Sequence, residues 1–396
     1  MLKPETLAMT TVLALLTALG PLSTDMYLPS LPAIAATLDG TTAQAQLTLS
    51  AFLMGFAVGQ FVYGPVSDKI GRKPVLLFGL GLYGVASLLC AAAGSIEMLT
   101  LARFLQALGA SGPIVLGRAI VRDLYEGPRA GRELSRMAMI MGVVPAVAPV
   151  LGGVVAVVAG WRSLFVLMVA FGLALAAVVA LRLPETIRTP SAGPVSFASI
   201  LRGFRILLRH RSYRIYVMLS MLTYGGLFAF ISGSSFVLQG LYGLGELPYA
   251  FSFAFMVGGF IAGSSLAQRV VGRRGLDGTI QLGVGCLAAG GLLMLLLVAL
   301  ALPTSLAVTG PMTVYAVGVG LTMPQAMASA MMPFPDRAGA ASSLLGICQM
   351  TFAAVLGIGL GQFLGASPLP LPVTVAATGV LALVVFSASG PARRGS

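Results

Sequence analysis

Long apolar runs follow one another along almost the whole chain, and short polar segments separate them. A helix needs about 20 apolar residues to cross the hydrocarbon core of a bilayer, and each run reaches that length. Proline, glycine and charged residues mark the ends of the runs. The pattern predicts twelve transmembrane helices, over residues 7–29, 43–66, 74–93, 97–120, 136–159, 162–182, 214–240, 247–268, 278–301, 304–331, 338–365 and 370–388.

Basic residues fall almost entirely on one of the two alternating sets of loops between these helices. The opposite set contains only Arg162. Since positively charged loops stay in the cytoplasm, both termini are predicted to be cytoplasmic, in a multi-pass protein of the bacterial inner membrane. The basic set comprises Lys3, Lys69, Arg72, Lys73, Arg122, Arg129, Arg132, Arg136, residues 182–214, Arg269, Arg273, Arg274, Arg337, Arg393 and Arg394.

Composition agrees with a chain that lies mostly in lipid. Hydrophobic residues make up 57% of the sequence and charged residues 9%, with a mean hydropathy of +0.96, whereas soluble domains carry about a quarter charged residues. The net charge of +12 comes from the loops and serves as a topology signal, so no nucleic-acid partner is expected. Cys90, Cys286 and Cys348 lie in apolar runs and indicate buried thiols. No metal or cofactor is predicted.

The longest polar stretch separates six predicted helices from six. We therefore predict an all-α membrane protein of two six-helix bundles, residues 1–182 and 214–396, joined by a cytoplasmic linker, residues 183–213. Within the linker, apolar residues recur near helical spacing among arginines, as in an amphipathic helix on the inner leaflet. The apolar set is Val195, Phe197, Ile200, Leu201, Phe204 and Leu208, and the arginines are Arg202, Arg205 and Arg209.

A loop that contains glycine, acidic and basic residues, Gly64 to Lys73, follows the second predicted helix. A degraded basic copy of this loop, Arg269–Arg274, follows the eighth predicted helix. The first copy resembles the G-x-x-x-D-[RK]-x-G-R-[RK] loop of the major facilitator superfamily. Paired loops after corresponding helices of two halves are also typical of the parallel repeats of such transporters. The resemblance implies the major facilitator fold, with alternating access to a central cavity.

Each position of this motif has a physical role in the prediction. Gly64 permits a close approach between helices, and Gly71 permits a tight reversal. Asp68 faces either the N-terminus of the eleventh predicted helix, near Gly339, or a basic residue such as Arg118 or Arg122. Arg72 and Lys73 hold the loop in the cytoplasm.

Two further segments narrow the resemblance. Arg103 to Ala110 resembles the R-x-x-Q-G motif of the superfamily, with Ala107 in place of glycine. Pro145 and Pro149, with nearby glycines, resemble the antiporter motif of the fifth helix, although Ala148 replaces its glycine. The segments 23–29, 118–123 and 338–343 are similar to the Bcr/CflA group of drug exporters. This similarity implies proton-driven export of antibiotics such as bicyclomycin or chloramphenicol.

Asp25 is the acid that lies clearly within a predicted helix core, where a charge costs several kcal/mol unless it is neutralised or paired. Arg103 lies at a similar depth and is its expected counter-ion. Three interpretations stay open, namely a fixed ion pair, proton coupling and direct substrate contact. In the coupling interpretation, Asp25 takes a proton from the outside and releases it to the cytoplasm.

The resemblance also implies a cavity lined by helices 1, 2, 4, 5, 7, 8, 10 and 11. Such a cavity is mostly apolar with few polar groups. For each candidate, helix packing is an equal alternative to ligand contact. The candidates near mid-depth are Tyr27, Met54, Gln106, Met141, Tyr224, Phe228, Phe255 and Gln349.

Other function classes find less support in the sequence. The three lysines are Lys3, Lys69 and Lys73, so no phosphate-binding loop of an ATP-driven pump exists. An enzyme would need an acid/base pair, nucleophile or metal cluster. A channel would need a polar stripe along its pore. The remaining alternative to a drug exporter is a nutrient or metabolite transporter on the same scaffold, and a monomer that binds protons and a small apolar drug is expected.

Overall fold

The computed structural model describes residues 6–125, 127–187, 197–302, 304–334, 337–364 and 367–390. All regular structure in these ranges is helical, which confirms the predicted all-α class. Lys3, Arg393 and Arg394, on which the predicted cytoplasmic location of the termini partly depends, lie outside the described residues. The contacts between residues divide the chain into two units, Met1–Val195 and Ser196–Ser396.

The first unit contains seven long or short α-helices and one 3-10 turn, Leu28–Ser30. The helices are α1 (Leu7–Asp25), α2 (Leu31–Thr37), α3 (Thr42–Ile70), α4 (Arg72–Ala91), α5 (Ile96–Leu124), α6 (Gly127–Ala159) and α7 (Trp161–Arg182). Hydroxyl side chains begin several of them, since Thr6, Thr41 and Ser95 each accept a hydrogen bond from a backbone N–H of the first turn. These caps lie within a few residues of the predicted helix starts.

The second unit contains six helices. They are α8 (Phe197–Arg209), α9 (Arg211–Ser235), α10 (Glu246–Ala299), α11 (Leu306–Met331), α12 (Ala338–Gly361) and α13 (Pro370–Ala388), and a π-helical turn, Phe236–Leu241, continues α9. The predicted amphipathic helix is α8, although Val195 lies outside the described residues.

Eleven helical segments in the described part of the chain are long and apolar enough to cross a membrane. The longest, α10, contains Gly275 with a non-helical backbone (φ 68°), which divides it into two arms, 246–274 and 276–299. Counting the arms separately gives the twelve predicted spans. The predicted loop at Arg269–Arg274 is helical instead, because the non-helical backbone falls at Gly275, at an angle that suits glycine.

Similarly, the first motif is mostly helix rather than loop. Helix α3 continues through Asp68 to Ile70, and Arg72 already begins α4. Gly71 is the single residue between them, with a φ of 111° that other residues rarely adopt. The prediction that Gly71 permits a tight reversal is confirmed.

The close approach of α3 to α5 depends on Gly55 and Gly59, not on Gly64 as predicted. A Cβ at Gly55 would overlap the carbonyl oxygen of Phe104, and one at Gly59 would overlap the Ser111 hydroxyl. At Gly64 the nearest atom, of Val115, lies 3.9 Å away, which is ordinary contact. The tight packing therefore lies about one and a half to two and a half turns before Gly64, the first residue of the motif.

Because Gly55 is tightly packed and Gly64 is not, replacement of each by alanine should affect stability differently. Gly55→Ala should destabilise the protein by about 1–3 kcal/mol, because backbone must move to accept the methyl group. Gly64→Ala should be neutral or slightly stabilising, since alanine favours helix over glycine. Thermal unfolding of the two purified variants in one detergent would measure both. Equal losses of stability would contradict the packing described here.

Candidate functional site

Buried charged side chains occur only in the first unit, as far as the described residues go. They are Asp25, Arg72, Arg103 and Glu133, with relative exposures between 0% and 8%. The buried polar residues of the second unit that the structure describes are serines, threonines and Gln349. Because a charge within a membrane bundle is expensive, these four residues are the first candidates for function.

Arg103 lies fully buried in the core of the first unit. Its Nη1 donates to the carbonyl oxygen of Ser23 at 3.1 Å and to Oε1 of Gln106 at 2.6 Å. Gln106 in turn donates to the hydroxyl of Ser87 at 2.8 Å. The Nε and Nη2 groups of Arg103 have no hydrogen-bond partner. The guanidinium therefore keeps two donor groups available in an interior that contains no carboxylate bonded to it.

Aromatic rings surround this guanidinium. Its carbon Cζ lies 4.3 Å from the ring centroid of Phe52, 4.5 Å from that of Tyr27 and 5.9 Å from that of Phe165. The hydroxyl of Tyr27 is hydrogen-bonded to Thr48 at 2.8 Å. Cation–π contacts of this kind stabilise a desolvated cation by about 2 kcal/mol. The rings thus supply part of the stabilisation that an acidic partner would otherwise give.

The expected ion pair between Asp25 and Arg103 is not formed in this structure. No guanidinium nitrogen of Arg103 lies within 4.0 Å of an Asp25 carboxylate oxygen, and that carboxylate makes no hydrogen bond to a described residue. Ser23 faces α4, where its hydroxyl is bonded to that of Tyr83 at 2.8 Å. Arg103 therefore contacts this end of α1 through a backbone carbonyl and not through the Asp25 carboxylate.

The glycine- and proline-rich part of α6 packs on the end of α1 that carries Asp25. A Cβ at Gly152 would overlap the backbone carbonyl of Met26, the residue after Asp25. Pro149 is buried one turn earlier in α6, and Pro145 is partly buried. Both prolines lie inside a helix that continues past them, where each removes one backbone hydrogen bond. The structure thus places the predicted antiporter motif beside Asp25.

Glu133 is a functional candidate that the sequence analysis did not select. Its Oε2 accepts a hydrogen bond from the Thr10 hydroxyl at 2.6 Å, and its Oε1 pairs with Arg136 at 2.6 Å. It therefore links α6 to α1 near the start of both helices. The i, i+3 spacing of Glu133 and Arg136 was visible in the sequence, but the burial depends on Thr10, which lies 123 positions away.

The Gly64–Lys73 motif forms an ion-pair network around Arg72. The Arg72 guanidinium pairs with Asp68 at 2.5 Å and with Asp123 at 2.9 Å, and it donates to Ser67 at 2.6 Å. Asp68 therefore pairs with a basic residue, which is Arg72 and not Arg118 or Arg122, while the alternative that it faces the helix N-terminus near Gly339 stays a prediction. Because α3 continues through the motif and Gly71 turns the chain, Arg72 reaches back four residues to Asp68 while it also reaches α5.

Contacts of the motif with α7 and with the segment after α7 complete this network. The ammonium of Lys73 donates to the carbonyl of Ala180 at 2.8 Å, near the C-terminal end of α7. The Glu185 carboxylate accepts the backbone N–H groups of Arg72 and Lys73, at 2.9 and 3.0 Å, and so caps the start of α4. Burial alone would raise the pKa of Glu185, but four backbone N–H donors together hold that pKa below its usual value.

We expect Glu185→Gln to lower the free energy of unfolding by about 1–2 kcal/mol at pH 7, the usual range for a lost helix cap. The folded pKa of Glu185 is depressed, so its stabilisation is complete above the unfolded pKa and disappears as the pH falls through the folded pKa. Thermal unfolding at pH 7 and below pH 4 would compare parent and variant. Glu97→Gln, at an exposed carboxylate, is the control. A difference that persists unchanged in acid would contradict the capping role.

The predicted cavity residues fall into two groups. Tyr27, Gln106, Phe228 and Gln349 are buried, with exposures of 3% or less. Met54, Met141 and Tyr224 are partly exposed, and Phe255 is 64% exposed. The rings of Tyr224 and Phe228 are stacked with centroids 6.3 Å apart. Gln106 belongs to the Arg103 network described above, so its position favours packing and orientation over ligand contact in this conformation.

Comparison with known families decides the identity of this scaffold. The family model described as Major Facilitator Superfamily matches residues 13–358, which is most of the chain. The chain belongs to the major facilitator superfamily. This finding confirms the family that the Gly64–Lys73 motif predicts.

Relatives in this superfamily match over most of their length. The chain is 33% identical to an uncharacterized MFS-type transporter, YdgK, of Bacillus subtilis, with 96% of this chain and 95% of YdgK covered. It is 30% identical to a bicyclomycin resistance protein homolog of Haemophilus influenzae, with 94% of each covered. It is 32% identical to a chloramphenicol resistance protein of Pseudomonas aeruginosa, with 82% and 77% covered.

Solved structures share the fold at low sequence identity. A D-xylose-proton symporter superposes with a TM-score of 0.80 at 14% identity, covering 98% of each chain. A bacterial homolog of the human lysosomal transporter Spinster superposes with a TM-score of 0.74 at 16% identity. These similarities support the major facilitator fold.

Proposed function

We propose that this protein exports small, largely apolar drugs across the bacterial inner membrane in exchange for protons. Relatives named for bicyclomycin, chloramphenicol and multidrug resistance, at 30–34% identity, support the drug class. The observation that carries the coupling is Asp25, a buried carboxylate with no ion-pair or hydrogen-bond partner among the described residues. A nutrient or metabolite transporter is less favoured, because none of these relatives is named for such a substrate.

Asp25 supplies one carboxyl group that binds and releases one proton in each cycle. When it is deprotonated, its charge needs a counter-ion, since an isolated charge in a membrane bundle costs several kcal/mol. Arg103 keeps Nε and Nη2 without partners on the neighbouring helix, so it can receive the carboxylate in a conformation in which α1 has rotated toward it. The close contact of Gly152 with Met26 transmits such a rotation to α6, the helix with Pro145 and Pro149.

The network around Arg72 is proposed as the gate. By the positive-inside rule it lies on the cytoplasmic side, and both termini lie there too. Its ion pairs join α3, α4 and α5, while Glu185 adds the segment after α7. Loss or gain of these few contacts would change the balance between two conformations by about 1–3 kcal/mol, the usual scale of a coupling free energy. In this proposal the network is centred on Arg72, and its neighbours are Gly64, Lys73 and Arg118.

Substrate contact is proposed for the partly exposed candidates, Met54, Met141, Tyr224 and Phe255. Methionine and aromatic side chains adapt to varied apolar ligands, as multidrug recognition requires. Tyr27 and Phe228 would act behind them by fixing the positions of neighbouring rings.

Transport into everted membrane vesicles tests the function. A proton gradient would be established across the vesicle membrane, and bicyclomycin, chloramphenicol and a panel of sugars and nucleosides would be added outside. Accumulation of an antibiotic that stops when the gradient is collapsed would support the proposal. Accumulation of a metabolite instead would favour the other substrate class, and accumulation that ignores the gradient would exclude proton coupling.

A further inference from the structure

Helix α8 has a fixed position in the second unit that places it at a membrane surface. A single residue, His210, separates it from the spanning helix α9. Phe204 and Leu207 are buried where α8 contacts α9 and α12. The ring of Phe334 packs against His210 at 5.2 Å and against Tyr213 at 5.9 Å, and Tyr213 donates to the carbonyl of Ala341 at 2.7 Å. The helix is therefore docked across the ends of two spanning helices.

The face of α8 that these contacts leave open carries an arginine strip. At about 100° per residue, Arg202, Arg205 and Arg209 fall within an arc of about 60°. All three are exposed, and none forms an ion pair with a described residue. Arg211 and Arg214, at the start of α9, are also exposed and add two further positive charges nearby.

Acidic residues that could neutralise this strip are scarce in the second unit. Its sequence contains Glu246, Asp277 and Asp336. Glu246 begins α10, at the far end of the span that starts with Arg211, and Asp277 accepts a hydrogen bond from Tyr216. Asp336 lies outside the described residues. The described acidic residues of this unit therefore leave the charge of the strip unneutralised.

Apolar side chains flank the arginine strip on both sides. Leu201 and Leu208 are 59% and 43% exposed beside its first edge, and Ile206 is 41% exposed beside the other. A soluble polyanion would gain nothing from these groups. An anionic phospholipid matches both features, because its headgroup neutralises arginine and its acyl chains cover leucine.

We propose that Arg202, Arg205 and Arg209 of α8 bind the headgroups of anionic phospholipids, with Leu201 and Leu208 in contact with the acyl chains. Binding at this site is independent of the transported substrate, so it can hold even if the proposed function does not. Each arginine at a membrane surface contributes about a fivefold preference for anionic lipid.

Native mass spectrometry of the purified full-length protein tests this site. The protein would be titrated in neutral detergent with phosphatidylglycerol or phosphatidylcholine. We expect the parent to retain phosphatidylglycerol at least tenfold better, and the triple variant Arg202→Gln, Arg205→Gln, Arg209→Gln to lose most of that preference. The matched control, Arg269→Gln, Arg273→Gln, Arg274→Gln, removes the same charge from exposed positions of the same unit and should retain it.

A variant with all three arginines, at 202, 205 and 209, replaced by lysine tests whether a lost lipid preference comes from lost charge or from misfolding. Lysine keeps the positive charge without the guanidinium fork, so it should retain most of the preference. Equal retention of both lipids by the parent would overturn the proposal. Equal losses in the two glutamine variants, or a lysine variant that behaves like the glutamine variant, would overturn it as well.

Discussion

Replacement of Asp25 by asparagine is expected to reduce gradient-driven accumulation of drug at least tenfold, to the level of empty vesicles. Asparagine keeps the shape of the side chain but cannot exchange a proton. Since the Asp25 carboxylate makes no hydrogen bond or ion pair with a described residue, the substitution should leave folding and insertion unchanged. Everted vesicles with a drug that the parent transports would measure the loss.

The same substitution at Asp39 is the matched control. Asp39 is exposed and has a φ of 49°, a backbone angle that asparagine adopts readily. Asp39→Asn should transport at the parent rate. Exchange of labelled for unlabelled drug without a gradient should survive in Asp25→Asn, because that process needs no proton. A variant Asp25→Asn that still concentrates drug would place the coupling on another residue, with Glu133 the next candidate.

Replacement of Arg103 by methionine should abolish coupled transport without lowering stability. The guanidinium is a buried charge with two unpartnered donor groups and no bonded acid. Replacing such a charge with an apolar side chain of similar length removes a desolvation cost that offsets the lost hydrogen bonds and cation–π contacts. We expect a melting temperature within about 3 °C of the parent. Transport should fall at least tenfold, since the counter-ion proposed for Asp25 is gone.

Thermal unfolding and vesicle transport on the same preparation would separate the two roles of Arg103. A purely structural arginine would show the reverse, a lower melting temperature and retained coupling. Arg103→Lys should recover part of the transport, because an ammonium keeps the charge without the two-pronged geometry. Arg162→Met, at an exposed arginine over Trp161, should affect neither measurement.

The fold was predictable because lipid restricts the options of the chain. Backbone groups in a bilayer must be bonded within the segment, so a run of about 20 apolar residues can be read as one helix. Helix ends were predicted within a few residues where caps or glycines mark them, as at Thr41 and Ser95. They were missed where helix continues through a polar segment, as at Asp68 and at Arg269–Arg274.

The candidate site was only partly predictable. Asp25 and Arg103 stood out because each is a charge in an apolar run, and the structure buries both. Their missing ion pair could not be foreseen, since depth along a helix does not determine which way a side chain points. The partners of three acids could not be predicted for a related reason. Asp68 pairs with Arg72, which lies beyond the turn at Gly71. Glu133 and Glu185 bind Thr10 and the start of α4, which lie far from them in the sequence.

The membrane class, the number of apolar spans and the family motif could be derived from the sequence alone. These properties depend on composition and on spacing along one chain, which lipid solvation converts directly into helices. Which charges meet depends on the three-dimensional packing of the helices. Arg103 bonds to Ser23 and Gln106 instead of Asp25, and the α3–α5 contact lies at Gly55 and Gly59 instead of Gly64. Such choices depend on the rotation and distance of neighbouring helices, which side-chain packing sets.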